Sequence, residues 1–371
     1  MDAFKKEFAQ RSYLAFNNAG VSPICQSACL TLTRWAERFQ REGINCFPEI
    51  DVEVERTRSA LGQLLGCSAE QIAFFSSTAT AISQVALGYP LKPGDEILLW
   101  DQEYPSSFYP WVEAARRRGA RVVIVPSADQ LATPAELMLA KVTARTRIMA
   151  FSWVQYRTGA MADLTTLTEF AKTRDIFTCA DVIQGVGVLP FDFAASGLDA
   201  ACGGSHKWLF SPLGVGYLLL AKSRIALLEP LSVGAMSFGT TEDTPRVDAP
   251  LKTTMARFEP GAKNVLDLAA LGASLNLINA TGIQNVFIEA QRLARRLSEG
   301  LANLGYVIHS RGPVIVNFAA GSRSPRESMA EIVAALSKAK VAFAQRAPGV
   351  RLSPHAFNED HEIDLVIRAL S

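Results

Sequence analysis

Two side chains in this sequence are placed to run amine–carbonyl chemistry. Lys207 lies in Gly203-Gly204-Ser205-His206-Lys207-Trp208-Leu209, directly after a β-rich run, and Asp181 closes the run Phe177-Thr178-Cys179-Ala180-Asp181. A lysine held among apolar residues is costly unless it is paired, neutral or covalently used. Burial lowers its pKa, and the neutral amine can form a Schiff base with a carbonyl group. Lys207 follows Asp181 by 26 residues, close to one strand–helix–strand step, so the two can converge above neighbouring strand ends. A carboxylate buried there needs a cation. The protonated ring nitrogen of pyridoxal phosphate (PLP) is such a cation, and PLP works as an electron sink only while that nitrogen holds its proton.

A site of that kind also needs a phosphate cradle and a cover for the ring. Ser76-Ser77-Thr78-Ala79-Thr80 stands at a strand-to-helix junction. Free backbone N–H groups and hydroxyls at a helix start bind phosphate without an added cation. After the next strand comes Glu103-Tyr104-Pro105-Ser106-Ser107, then Phe108-Tyr109-Pro110-Trp111. A tyrosine at that strand end can stack on a flat heteroaromatic ring.

The elements that must position these residues are legible as alternating periodicities. Short β-rich runs at 71–76, 96–101, 121–126, 147–154, 177–181, 200–205 and 214–221 are separated by helical patterns. Several runs are apolar on both faces, as buried and largely parallel strands are. The alternation predicts an open α/β sheet with helices on both faces, and ligands of such sheets bind at the carboxyl ends of the strands. Thr133-Pro134-Ala135-Glu136 predicts a helix start with Thr133 as cap and Pro134 at the first helical position. Residues 1–66 read as mostly helical around a loop at Asn17-Asn18-Ala19-Gly20. Residues 225–262 read as irregular, broken by Gly234, Gly239, Pro245, Pro250, Pro260 and Gly261, and 264–304 as helical. The end of the chain alternates again, with a helix from Pro325 to Lys340 and a closing helix from Glu359, as a compact second α/β domain.

Composition bounds the class. The chain has 371 residues, 49% of them hydrophobic, enough to bury a large core and too much for a disordered protein. Lys plus Arg number 37 against 36 Asp plus Glu, a balance that argues against nucleic-acid or membrane-surface binding through a basic face. No stretch approaches the ~20 continuous apolar residues of a membrane span. No apolar run follows the N-terminal lysines, so no signal peptide is expected. The six cysteines form no CxxC pair, have no zinc-site spacing and sit among apolar neighbours. They predict reduced thiols in a cytoplasmic protein with no metal site.

Taken in order, Asn18-Ala19-Gly20, Ser76-Ser77-Thr78-Ala79-Thr80, Glu103 to Trp111, Ala180-Asp181-Val182-Ile183-Gln184 and Gly204-Ser205-His206-Lys207-Trp208 resemble the class V aminotransferases of the fold-type I PLP enzymes. That group includes cysteine desulfurases, selenocysteine lyases, kynureninase and isopenicillin N epimerase. The resemblance runs from about Tyr13 to Leu370, and Val350 to Asn358 followed by Glu362-Ile363-Asp364 looks like the desulfurase and epimerase ending. It implies that Lys207 carries PLP and moves the α-proton, that Asp181 pairs with the ring nitrogen, and that Gln184 bonds near the phenolic oxygen. It further implies that Thr78, Ala79 and His206 contact the phosphate and that Tyr104 stacks on the ring. Arg351 matches the arginine for the substrate carboxylate, with Asn18 and Tyr156 as further substrate-side positions. Arg257-Phe258-Glu259-Pro260-Gly261 resembles a loop that reaches into a partner's site, which implies a homodimer with shared active sites.

Departures from the pattern narrow the chemistry. Desulfurases carry a nucleophilic cysteine just before the carboxylate-binding segment, where this chain reads Ala344-Gln345-Arg346-Ala347-Pro348-Gly349. Their ring-stacking histidine is replaced by Tyr104, a phenol of reference pKa about 10 against about 6.5 for imidazole. Ala79, Gly204 and Ala262 stand where hydroxyl residues are common, which thins the phosphate contacts. The expected architecture is a large, mostly parallel seven-stranded sheet domain plus a smaller C-terminal α/β domain. The division is 1–30 as an N-terminal segment of the active-site and small-domain region, 31–260 as the PLP-binding domain and 261–371 as the small domain. The expected function is Cα deprotonation of an amino acid leading to transamination. Epimerisation, Cβ–S cleavage without the catalytic cysteine, and a non-catalytic paralogue stand as alternatives.

Overall fold

The computed structural model describes residues 1–239 and 246–371; Pro245, one of the expected breakers, lies outside the described residues. The large sheet has seven strands: β1 (Ile72–Phe75), β2 (Glu96–Trp100), β3 (Arg121–Val125), β4 (Thr146–Ser152), β5 (Phe177–Asp181), β6 (Ala200–Gly204) and β7 (Gly216–Leu220). Their spatial order is β1-β7-β6-β5-β4-β2-β3. All neighbours pair in parallel except β7, which runs antiparallel to both β1 and β6. The expected seven-stranded, mostly parallel sheet is therefore present.

The doubly apolar runs explain why it forms. Side chains alternate across a strand, so a strand buried on both faces needs two apolar sets. Leu98, Trp100, Met149 and Phe151 pack into one core, while Ile97, Leu99, Ile148 and Ala150 pack into the core on the opposite face. The first core is closed by the helices Phe47–Leu65 and Val265–Thr281, the second by Thr78–Gly88 and Pro105–Arg118. Glu259 ties the irregular 225–262 stretch to this body. Its buried carboxylate accepts from Arg58 Nη1 at 2.9 Å and Nη2 at 3.0 Å and from the Phe74 N–H at 2.7 Å. Removing one member of a buried pair of this kind costs about 3–5 kcal/mol.

A third core gathers Leu293, Leu297, Phe318, Leu336, Leu352 and Ile363 from the C-terminal part of the chain around Phe16 from the N-terminal part. Its sheet is antiparallel: β8 (Val307–Ile308), β9 (Val316–Ala319), β10 (Ala344–Arg346) and β11 (Gly349–Leu352), in the order β10-β11-β9-β8. Leu14–Ala15 pairs in parallel with Val341–Ala342, and Asn17 bridges to Ser353, so the N-terminal loop is stitched beside β11. Among the described residues no single helix is long and apolar enough to cross a membrane.

Three local expectations are corrected. Pro134, with φ −63° and ψ 135°, is itself the non-helical cap of the helix Ala135–Leu139. Thr133 thus lies one residue too early, and its buried hydroxyl has no partner among the described residues. The helical stretch 264–304 is two helices, Val265–Thr281 and Ile283–Asn303, bent by 84° at Gly282. Gly282 has φ +82°, which only glycine adopts without strain. The helix expected from Pro325 begins at Met329, where Ser328 accepts from the Glu331 N–H at 3.3 Å.

Candidate active site

The carboxyl ends of the central strands face the Asn17–Val21 loop and the β10–β11 hairpin across a cavity of about 380 Å³. Asp181 ends β5 in register with Cys202 of β6, and Lys207 follows β6 by three residues. The Asp181 carboxyl is buried and accepts the Ile183 N–H at 3.0 Å. Burial pushes its pKa up, opposed by the Ile183 bond and the Lys207 charge. Burial brings the Lys207 amine down to about 8, with Asp181 pulling it up and Arg351 and Arg346 adding to the depression. A lysine so poised supplies a usable fraction of neutral amine near neutral pH, as a nucleophile or base requires.

One end of the cavity is built for an anion. The helix Thr78–Gly88 opens onto it, and Ser77 and Thr80 cap one another's backbone N–H groups at 3.2 and 3.0 Å. Among the described residues the Thr78 and Ala79 N–H groups have no acceptor and the buried Thr78 hydroxyl has no partner. Unpaired donors at a helix start favour a phosphate. The strands approach this turn closely. A Cβ on Gly216 would lie 2.2 Å from the Ser77 carbonyl carbon, and one on Gly204 would lie 2.7 Å from Thr78 Oγ1. Gly204, where the family pattern has a hydroxyl residue, leaves that space to the Thr78 side chain.

Aromatic and cationic groups line the rest. Lys207 Nζ sits 5.7 Å from the centroid of the Tyr104 ring, which meets Tyr156 edge-on at 5.1 Å. Gln184 Nε2 donates to the Ala19 carbonyl at 3.0 Å while its oxygen accepts from Trp208 Nε1 at 3.1 Å. Burial, with Lys207 adjacent, lowers His206 to about 4, so its imidazole is neutral at pH 7. Arg351 is buried, donates to the Tyr156 carbonyl at 2.7 Å and to Asn17 Oδ1 at 3.1 Å, and has no carboxylate partner among the described residues. Burial and Arg346 bring it down to about 9, still protonated at neutral pH. A buried, unneutralised guanidinium is an anion site.

One expected site residue is displaced. Asn18 does not line the cavity: its amide donates to Ser353 and Ala15 carbonyls and accepts from the Ser22 hydroxyl. Asn17, its neighbour, is the residue that touches Arg351. The Arg257–Gly261 loop has partners within its own chain, since Phe258 is buried and Glu259 is held by Arg58. Sequence reasoning also gave no role to Glu103. Its buried carboxyl accepts from the Ser152 N–H at 2.8 Å, Ser152 Oγ at 2.5 Å and Gln155 Nε2 at 3.0 Å. Burial raises it to about 7 against those bonds. The available signal was a carboxylate directly after an apolar strand.

The family model for aminotransferase class-V matches residues 20–355, a span that contains Thr78, Tyr104, Asp181, Lys207 and Arg351. The chain belongs to the aminotransferase class-V family. It is 32% identical over 58% of its length to the isopenicillin N epimerase of Streptomyces clavuligerus, and 25% identical over 68% to a probable cysteine desulfurase of Methanothermobacter thermautotrophicus. The matched segments span 56% and 62% of those two class-V relatives. Its fold is that of a mutant of the cystine C-S lyase C-DES with glycine linked to its PLP cofactor. That similarity has a TM-score of 0.90 at 23% identity and covers 100% of this chain and 99% of the other. It also resembles the cysteine desulfurase CsdA of Escherichia coli, with a TM-score of 0.86 at 20% identity over 99% of this chain and 96% of that one. Within the class-V frame the desulfurase cysteine is missing here: all six thiols are free, and none lines the cavity.

Proposed function

We propose that this chain binds PLP and acts on an α-amino acid by removing its Cα proton, with transamination as the outcome. The observation that carries the reading is the set of Asp181 and Lys207 on adjacent strand ends beside a buried arginine that has no carboxylate partner among the described residues. When bound, PLP supplies an electron sink for the carbanion left at Cα. The donors of Thr78 and Ala79 would hold its phosphate, Tyr104 would cover its ring, and Asp181 would keep its nitrogen protonated. Lys207 Nζ then takes the proton from Cα and returns it, and His206, neutral, can donate but not compete as a base. One base on one face suits transfer of a proton along that face.

The epimerase likeness favours a second reading, in which the Tyr104 phenol returns a proton from the opposite face. Incubation of the PLP-loaded protein with L-amino acids in deuterated water separates the two. Transamination yields a 2-oxo acid, whereas epimerisation yields the deuterated D-isomer and no 2-oxo acid.

In the same proposal Arg351 binds the substrate α-carboxylate as a planar, two-pronged donor. Arg351→Ala is expected to weaken a carboxylate-bearing substrate by roughly 2–5 kcal/mol while leaving PLP affinity little changed. Lysine should restore only part, because a point ammonium cannot reproduce the fork. Unchanged substrate affinity in Arg351→Ala would remove the residue from this role.

The working unit we propose is a cytoplasmic homodimer. Ile44, Phe47, Leu213, Leu231 and Val233 are exposed apolar side chains of the kind a second chain can cover. Sedimentation of a fully active monomer would defeat the dimer.

A further inference from the structure

Two arginines, not one, enter the cavity. Arg346 and Arg351 stand on the paired antiparallel strands β10 and β11, with Ala344 opposite Arg351 and Arg346 opposite Gly349. Residues two apart on a strand share a face, so the two arginines are diagonal neighbours on one side of the hairpin. Tyr156 sits between them, its carbonyl accepting from Arg351 Nη1 at 2.7 Å and its ring 5.9 Å from Arg346 Cζ. Neither arginine forms an ion pair among the described residues, and each has a buried Nε without an acceptor. Arg346 spends one Nη1 bond, 3.0 Å long, on the Gln345 carbonyl.

Pairing each cation of the cavity with its own anion leaves Arg346 over. The cavity is lined by the cations Lys207, Arg346 and Arg351 and by a single carboxylate, Asp181. A phosphate at the Thr78 turn is met by backbone donors at the other end of the cavity, and an α-carboxylate satisfies only Arg351. Like charges held close in a partly desolvated site repel, so two guanidiniums on one face are disfavoured until a second anion arrives.

Resting on the reading of this site as one for an α-amino acid, we infer that Arg346 selects a substrate carrying a second carboxylate on its side chain. Arg351 holds the α-carboxylate and Arg346 the distal one, with Tyr156 setting the spacing between them. The substrate class is thus an acidic, dicarboxylic amino acid. Neutral amino acids of equal length would leave Arg346 unpaired in the closed site.

The test uses the PLP-loaded protein and two readouts. Calorimetry compares succinate, glutarate and adipate with butyrate, pentanoate and hexanoate, none of which can react. At least one dicarboxylate is expected to bind tenfold or more tighter than its monocarboxylate match, and Arg346→Gln should erase that advantage while costing the monocarboxylate less than about threefold. Equal binding of both series, or an advantage that survives in Arg346→Gln, overturns the assignment. The second readout is the cofactor absorption band during titration with L-aspartate, L-glutamate, L-2-aminobutyrate and L-norvaline. If amino acids move the band but the acidic ones show no preference, the two-carboxylate site falls and the amino-acid reading stands. If no amino acid moves the band yet dicarboxylates keep an Arg346-dependent advantage, the amino-acid reading falls and the two-anion site stands.

Discussion

Lys207→Ala is expected to abolish turnover while leaving the protein folded. The residue is asked to carry the cofactor and to move the Cα proton, and loss of a positioned general base alone removes ~10²–10⁴-fold in rate. Borohydride reduction of the PLP-loaded wild type should place the pyridoxyl label on the Lys207 peptide. A label on another lysine, or a Lys207→Ala enzyme with measurable wild-type-like turnover, would take Lys207 out of the mechanism. The cofactor-free protein offers a check of the electrostatics. The folded state holds this proton more weakly than the unfolded chain, at about 8 against the ordinary lysine value of 10.5. Unfolding therefore takes up a proton between those values, and the stability of the wild type should rise with pH across that window relative to Lys207→Ala. Urea midpoints of the two proteins at pH 7.5 and 9.5 read the difference directly. A constant difference would mean that the amine is as well solvated as any surface lysine.

Asp181→Asn should move activity and stability in opposite directions. A neutral amide cannot hold a ring nitrogen protonated, so a loss of about 4 kcal/mol in barrier, roughly 10³-fold in kcat, is expected. The fold should not suffer. Asparagine keeps an acceptor for the Ile183 N–H, and the buried carboxylate it replaces has its pKa raised by desolvation. Because the folded state holds that proton more tightly than the unfolded chain, unfolding releases it, and the wild type loses stability as pH rises from 3.8 through the raised folded value. At pH 7 the cofactor-free Asp181→Asn protein should therefore unfold at a higher urea concentration than the wild type. Near-wild-type kcat would remove Asp181 from the ring-nitrogen role. A lower urea midpoint would show that its carboxylate is stabilised by contacts other than the Ile183 bond.

Much of the architecture was legible because it is written in short-range chemistry. Doubly apolar runs such as Glu96-Ile97-Leu98-Leu99-Trp100 have few alternatives to a buried strand, and each of the seven expected runs overlaps an observed strand. The spacing of Asp181 and Lys207 was readable for the same reason, since parallel neighbours joined by one crossover put their ends at one level. The signals that failed depended on a single residue's place. Thr133 carries the right side chain for a cap but precedes a proline that delays the helix, and Gly282 breaks a pattern that is apolar on both sides of it.

By itself, then, the sequence determined the class of fold, the order of its strands along the chain, and the pairing of a carboxylate with an amine at neighbouring strand ends. Periodicity and spacing are properties of consecutive residues, and they need no knowledge of what lies across the cavity. The tertiary structure decided the rest: Asn17 rather than Asn18 against Arg351, Glu103 buried against Ser152 and Gln155, and Arg346 beside Arg351 on one face of a hairpin. The first two join residues from distant parts of the chain, and the third depends on the register in which a hairpin pairs. Whether such a polar group is paired, buried or left with an open donor is fixed only when the sheets and loops close around it.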